Sequence, residues 1–279
     1  MNRISKMILQ ATVLAITTAG TAMATPSTQI WIPSTDVQAY GTFHLGIDNY
    51  FRASGVGKAQ SSNGVTTPSQ PDANIMDIGP VVGILPFEKL QAEIGFDYLA
   101  IANDPNDDHP WSANFKIATP ESSVCPFSPA IAVGMYNIGP SQSQGVAPGV
   151  VAGQNIAYGL AARTLPAFGG VPSLGRISAG YYDGSSRALR TNISVLNTLG
   201  TADHDGLLLS WDRTMTEISD KLWMAVDYQS GKNADGAVSF GASWNFAKNV
   251  SVIFGYDVWT DKAVAGNNTF TTQLDINFP

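Results

Sequence analysis

The sequence predicts an all-β chain, a closed antiparallel transmembrane β-barrel of about twelve strands. Three observations predict it. Apolar and polar residues alternate with a period of two over segments of roughly ten residues, the length a tilted strand needs to cross a bilayer. The apolar faces of those segments carry charge only at strand ends, at Asp183 and Arg213, as expected where a lipid-facing charge costs about 2–4 kcal/mol at the midplane. Long and short connections alternate along the chain, the asymmetry of a barrel with loops on one side and turns on the other.

Taken in order, the chain opens with an address. Arg3 and Lys6 precede a mostly apolar run, Met7 to Gly20, and a small-x-small site, Ala22-Met23-Ala24. This is the pattern of a secretory signal peptide, so residues 1–24 are expected to be removed and residues 25–279 to form the barrel. The first strand is expected over Val37–Tyr50, where Phe43, Leu45 and Ile47 oppose His44, Gly46 and Asp48. A strand over 75–84 contains Pro80, which cannot donate to a ladder and so predicts a bulge or a shorter strand. In Leu90–Ile101, Ile94 and Phe96 oppose Glu93 and Asp97; in Trp111–Ala118, Phe115 and Ile117 oppose Asn114 and Lys116. After a strand at 130–138, the segment Asn155–Thr164 sets Ile156, Tyr158 and Leu160 against Ala157, Gly159, Ala161 and Arg163. Reading the apolar face as the lipid face turns Arg163 inward. Strands at 175–183 and 206–213 follow.

The last third alternates most regularly. Met224 and Val226 oppose Asp227 and Gln229, Phe240 and Trp244 oppose Ser239 and Ser243, Val252 and Phe254 oppose Ser251 and Asp257, and Phe270 and Leu274 oppose Gln273 and Asp275. Outer loops are expected at 51–74, 102–110, 139–154, 184–205, 230–235 and 261–268, with inner turns between. Loops 51–74 and 139–154, rich in Gly, Ser, Gln and Pro, predict flexible connections. Arg187–Leu199 alone shows helical spacing and predicts a short helix; its loop is a candidate constriction, with Arg187 and Arg190 facing the acidic wall. Tyr50, Phe51, Tyr98, Trp111, Tyr181 and Trp259 are expected at the outer rim, and Phe115, Trp211, Phe246 and Phe278 at the inner one.

Composition fits this map. Charged residues are 13%, hydrophobic residues 44%, and the mean hydropathy is +0.02, because one face of each strand meets lipid and the other a polar lumen. The apolar content excludes a disordered chain. A formal charge of −7, which falls to −9 when Arg3 and Lys6 leave with the signal peptide, excludes phosphate-backbone binding to nucleic acid. A single cysteine, Cys125, excludes a disulfide scaffold.

The inward positions place Asp48, Asp77, Glu93, Asp97, Asp212, Asp227, Asp257 and Asp275 with Lys116, Arg163 and Arg176. A low-dielectric wall dominated by one sign of charge concentrates counter-ions. These are the candidate pore residues of a water-filled or partly occluded lumen favouring cations or small neutral solutes; the competing reading has the charges pair with one another and fill it. Asp107-Asp108-His109 and Asp203-His204-Asp205 carry ligand types for a divalent cation but no recognised spacing, so they read as solvated loops and no metal or cofactor is expected. No G-x-S-x-G motif is present, and no enzyme is expected.

The chain resembles the bacterial outer-membrane β-barrel class, the porin-like proteins, over nearly all of its mature length. The last strand, Thr269–Phe278, is amphipathic and ends on an aromatic, with Pro279 added after it. The resemblance implies insertion in the outer-membrane lipid by the barrel assembly machinery and a porin-like channel for passive diffusion of small solutes or ions. The alternatives are a non-transport barrel acting in binding, adhesion or scaffolding through its outer loops, and a secreted soluble β-sandwich.

Overall fold

Alternation at this length leaves a strand few options in hydrocarbon. Every backbone N–H and C=O must find a partner within the sheet, so an open edge is not tolerated. The computed structural model describes residues 27–52, 60–62, 65–67, 74–101, 110–140, 153–169, 173–191 and 200–278; the expected signal peptide lies outside them. Strand β1 (Phe43–Arg52) is followed by a small hairpin, β2 (Gln60–Ser62) and β3 (Val65–Thr67), inside the first loop. The wall continues through β4 (Ile75–Gly83), β5 (Gln91–Ile101), β6 (Trp111–Thr119), β7 (Ala130–Ile138), β8 (Ile156–Leu165) and β9 (Gly175–Asp183). It is completed by β10 (Asp205–Thr214), β11 (Leu222–Gln229), β12 (Ala237–Ala247), β13 (Val250–Trp259) and β14 (Thr269–Phe278).

Twelve of these strands form one closed barrel, each antiparallel to its neighbours. Closure is made by β1 on β14, in register from Phe43↔Phe278 to Arg52↔Thr269. One sheet closed on itself is not a sandwich of two, which sets aside the soluble β-sandwich. The surface is apolar outside and polar inside. Phe96, Phe240, Phe246 and Phe254 are exposed, whereas Ser239, Ser251, Gln273 and Asn277 are buried.

Several expectations are corrected. Pro80 makes neither a bulge nor a strand end. It pairs with Leu45 of β1, and the ladder to β5 steps from Ile78↔Tyr98 to Val81↔Gly95 without change of register. The missing N–H leaves a gap, and Gly95 opposite has no Cβ to meet the Pro80 carbonyl, which would lie 2.7 Å away. β1 starts at Phe43 rather than Val37, because residues 37–42 leave the wall and cross its mouth, touching it at a parallel bridge, Tyr40↔Gly83. Tyr50 and Trp259 are not rim residues. They are 8% and 3% exposed and point inward, as their parity with Asp48 and Asp257 requires. Residues 187–191 of the expected helix form a turn and a bridge, Arg190↔Ala202; residues 192–199 lie outside the described residues. The helix that is present among the described residues is a single turn, α1 (Lys262–Ala265), between β13 and β14.

A side chain at Gly95 would also press on Val81 and Asn114. Gly95→Val is therefore expected to destabilise the barrel by about 1–3 kcal/mol, seen as conversion of the fast-migrating unheated form on a denaturing gel at a lower temperature than for the wild-type chain.

Candidate functional site

The residues before β1 build the site. Ser27–Ser34 turn back on themselves as a tight hairpin. Thr28 and Pro33 form an antiparallel bridge, the Gln29 N–H donates to the Ile32 carbonyl at 2.7 Å, and the Ser34 N–H donates to that of Ser27 at 3.0 Å. The hairpin sits inside the barrel. Gln29, Ile30 and Ile32 are at most 1% exposed, and burying each isoleucine contributes about 1.5–3 kcal/mol.

The stem lies at the turn end of the barrel. Lys116, near the end of β6, donates from Nζ to the carbonyls of Ser27 (2.7 Å) and Asp36 (2.6 Å) and pairs with Glu93 Oε1 at 3.0 Å. Glu93 Oε2 accepts the Gln38 N–H at 2.7 Å. Arg176, in the first turn-side residues of β9, grips both Asp36 oxygens at 2.6 and 2.7 Å, a bidentate pair, and reaches Asp212 Oδ1 through Nε at 2.9 Å.

The tip reaches toward the loop end. Asp227 Oδ2 accepts both the Ile30 and Trp31 backbone N–H groups, at 2.7 and 2.9 Å. Gln273 Nε2 donates to the Ile30 carbonyl at 2.6 Å, and Gln29 Nε2 donates to Asp212 Oδ1 at 3.0 Å. Trp31 meets Trp259 and Tyr50 edge-on, with centroids 4.9 and 5.4 Å apart, and its Nε1 donates to the Asp235 carbonyl. The Asp235 carboxyl, in the loop between β11 and β12, is pushed up to about 7 by burial and accepts Gln154 Nε2. Two inward glycines make room for the tip: a Cβ on Gly255 would lie 2.9 Å, and one on Gly241 3.0 Å, from Ile30.

The sequence-derived candidates therefore divide. Glu93, Lys116, Arg176, Asp212 and Asp227 hold the hairpin or its continuation. Asp257 accepts Thr269 Oγ1 at 2.7 Å, and Asp275 takes Ser251 Oγ at 3.1 Å and faces His44 Nε2 at 3.5 Å. Asp48 and Asp97, with Asp77, line a cavity of about 180 Å³ left between the hairpin and the wall. Arg163 departs from its expected place. It pairs with Glu121 at 3.2 Å and donates to the Ser128 carbonyl at the β6–β7 turn, with its side chain 37% exposed. The cause is that β8 turns its apolar face inward: Ile156, Tyr158 and Leu160 pack with Tyr182, Leu208 and the hairpin's Ile32. Arg163 follows by parity to the other face.

Loop 184–205 contributes to the interior through Leu189, which joins the same cluster. Its arginines do not face the acidic wall: Arg190 bonds the Ser186 and Gly200 carbonyls, and Arg187 is exposed. Asp203, His204 and Asp205 go to separate partners, the Lys232 N–H, Asp183 and Tyr181, while Asp107-Asp108-His109 lies outside the described residues. Cys125 is exposed on the β6–β7 turn. The hairpin itself shows no period in the sequence, because its eight residues turn back half-way and neither arm is long enough to carry one. Its signal was compositional: Ile30-Trp31-Ile32 is an apolar patch ahead of the first strand and too short to span a membrane.

No protein-family model matches the chain, and no curated protein matches it in sequence. Solved structures with a similar outline include an outer membrane channel of Pseudomonas putida F1, at a TM-score of 0.43 and 9% identity over 87% of this chain and 97% of that one. OmpF of Salmonella typhi, in complex with daunomycin, has a TM-score of 0.39 and 8% identity over 85% and 97% of the two chains. OprB of Pseudomonas putida has a TM-score of 0.35 and 10% identity over 85% and 92%.

Hydrogen bonds to a charged group each contribute about 1.5–3 kcal/mol. Asp227→Ala, which removes the acceptor of two hairpin N–H groups, is expected to loosen the hairpin by at least that much while leaving the β-ladder intact. Limited proteolysis should then cut within residues 27–42 of the variant at protease levels that spare the wild-type protein.

Proposed function

We propose that the chain is an outer-membrane channel of the porin type, passing small solutes down their gradients with a preference for cations, and that its N-terminal hairpin limits the conductance. The observation that carries this is the division of the lumen. The hairpin packs against residues of β8, β10, β11 and β14, and a cavity remains beside it, lined mainly by β1 and β4 to β8. A twelve-stranded barrel is narrower than the sixteen- to eighteen-stranded general porins, so a hairpin inside it decides how much water path is left. The wall of that path carries Asp48, Asp77 and Asp97, while Lys116 and Arg176 are engaged by Glu93, Asp36 and Asp212. The field along it therefore favours cations.

The apolar outer belt supports a place in the lipid of the bacterial outer membrane. The Sec-type leader supports export, with a mature chain starting at Thr25, and the aromatic-ended β14 supports insertion by the barrel assembly machinery. The reaction class is passive transfer, with no enzymatic step. A second reading, a barrel that scaffolds or binds through its outer loops, is favoured by the extent of the hairpin's contacts, which hold it at both stem and tip.

Planar-bilayer recording separates the two. The wild-type chain is expected to give small single-channel steps with a reversal potential on the cation side in a salt gradient, and a chain lacking residues 27–36 to give steps several-fold larger. If neither protein gives discrete steps, the channel reading fails and the scaffold reading stands.

A further inference from the structure

The cavity beside the hairpin has an asymmetric chemistry that points to a ligand. On one wall, Asp48 and Asp77 are cross-strand partners on β1 and β4, and Asp97 follows on β5. Asp97 lies over Gly79, where a Cβ would collide with its carboxylate, and accepts Asn114 Nδ2 at 2.6 Å. Asp77 Oδ1 is shut off from solvent and has no hydrogen-bond partner among the described residues. Oδ1 of Asp227 and of Asp257 is unpaired as well, but Asp77 lines the cavity, where a bound molecule can complete its carboxyl.

The protein's own cations do not complete it. Lys116 spends its three N–H donors on Glu93 and the carbonyls of Ser27 and Asp36. Arg176 is held between Asp36 and Asp212. Among the described residues none of Asp48, Asp77 and Asp97 forms a salt bridge. No group of His, Cys, Asp and Glu among the described residues is arranged to hold a metal ion, which argues for a ligand that bridges the carboxylates through hydrogen bonds rather than by inner-shell coordination. Aromatic side chains line the cavity as well: Trp31 of the hairpin, Tyr136 on β7 and Tyr158 on β8, with Tyr50 beside Asp48 on β1. Such faces attract an organic cation and cover an apolar body.

We propose that this cavity binds a small organic ammonium ion, its N–H groups donated to Asp77 and Asp97 and its carbon body laid against Trp31 and the tyrosines. The proposal rests on the channel reading and names its substrate class. The anion of the same shape is repelled by the carboxylates, and the neutral analogue lacks the charge they need.

The test is isothermal titration of the detergent-solubilised mature chain with benzylammonium, benzyl alcohol and benzoate, an isosteric series that differs in charge. Benzylammonium is expected to bind saturably and the other two not to bind. Asp77→Asn and Asp97→Asn are each expected to weaken binding about tenfold, equivalent to about 1.4 kcal/mol. Heat-modifiable gel mobility checks that each variant is folded, and Asp48→Asn replaces any that is not. Equal binding of the three probes, or unchanged benzylammonium affinity in a folded Asp77→Asn/Asp97→Asn double variant, overturns the site. Because titration needs no transport, a protein that binds benzylammonium but carries no current keeps the site and loses the channel; one that conducts but does not bind keeps the channel and loses the site.

Discussion

The pairing of β1 with β14 is the constraint on which the rest of the molecule depends. A sheet in hydrocarbon has no water to satisfy an open edge, so the first and last strands must meet, and they do so along their whole length, from Phe43↔Phe278 to Arg52↔Thr269. Closure then dictates an inside and an outside. Phenylalanines such as Phe96 and Phe254 face out, and the polar residues between them face a lumen only one barrel wide. It also places the start of β1 at the turn-side mouth, so the residues ahead of it meet the lumen before anything else.

That lumen presents a problem that the hairpin solves. Carboxylates such as Asp212 and Asp227 are 6% and 1% exposed, and buried charges without partners are costly. The hairpin supplies what they lack: backbone N–H groups for Asp227, the Gln29 amide for Asp212, and a carboxylate, Asp36, that lets Arg176 bind on two sides. In return, the wall supplies an apolar seat for Ile30 and Ile32. The interior is therefore a small folded core of its own, polar at the stem and aromatic at the tip, with a cavity left along the wall where Asp48, Asp77 and Asp97 stand.

How far the residues could be read follows from what periodicity measures. Strands whose two faces differ sharply in polarity, such as β12 to β14, were legible to within a residue or two. β8 was legible as a strand and read inside out. Alanine and glycine against Ile156, Tyr158 and Leu160 says that one face is bulkier, and lipid and a packed apolar interior both accept the bulkier face. Arg163 followed the wrong face for that reason. Tyr50 and Trp259 were misplaced because aromatics near strand ends suit a membrane interface and a packed lumen equally, although their parity with Asp48 and Asp257 already pointed inward.

Sequence alone determined the barrel, its strand count, and which residues of most strands turn from lipid, because a period of two, strand length and the cost of charge in hydrocarbon are local properties written along the chain. Which carboxylates are spoken for, and which are left facing space, were decided only by tertiary structure. Those answers depend on Ile30 and Trp31 meeting Asp227, residues almost two hundred positions apart, and no local pattern records a contact made only when the barrel has closed around the hairpin.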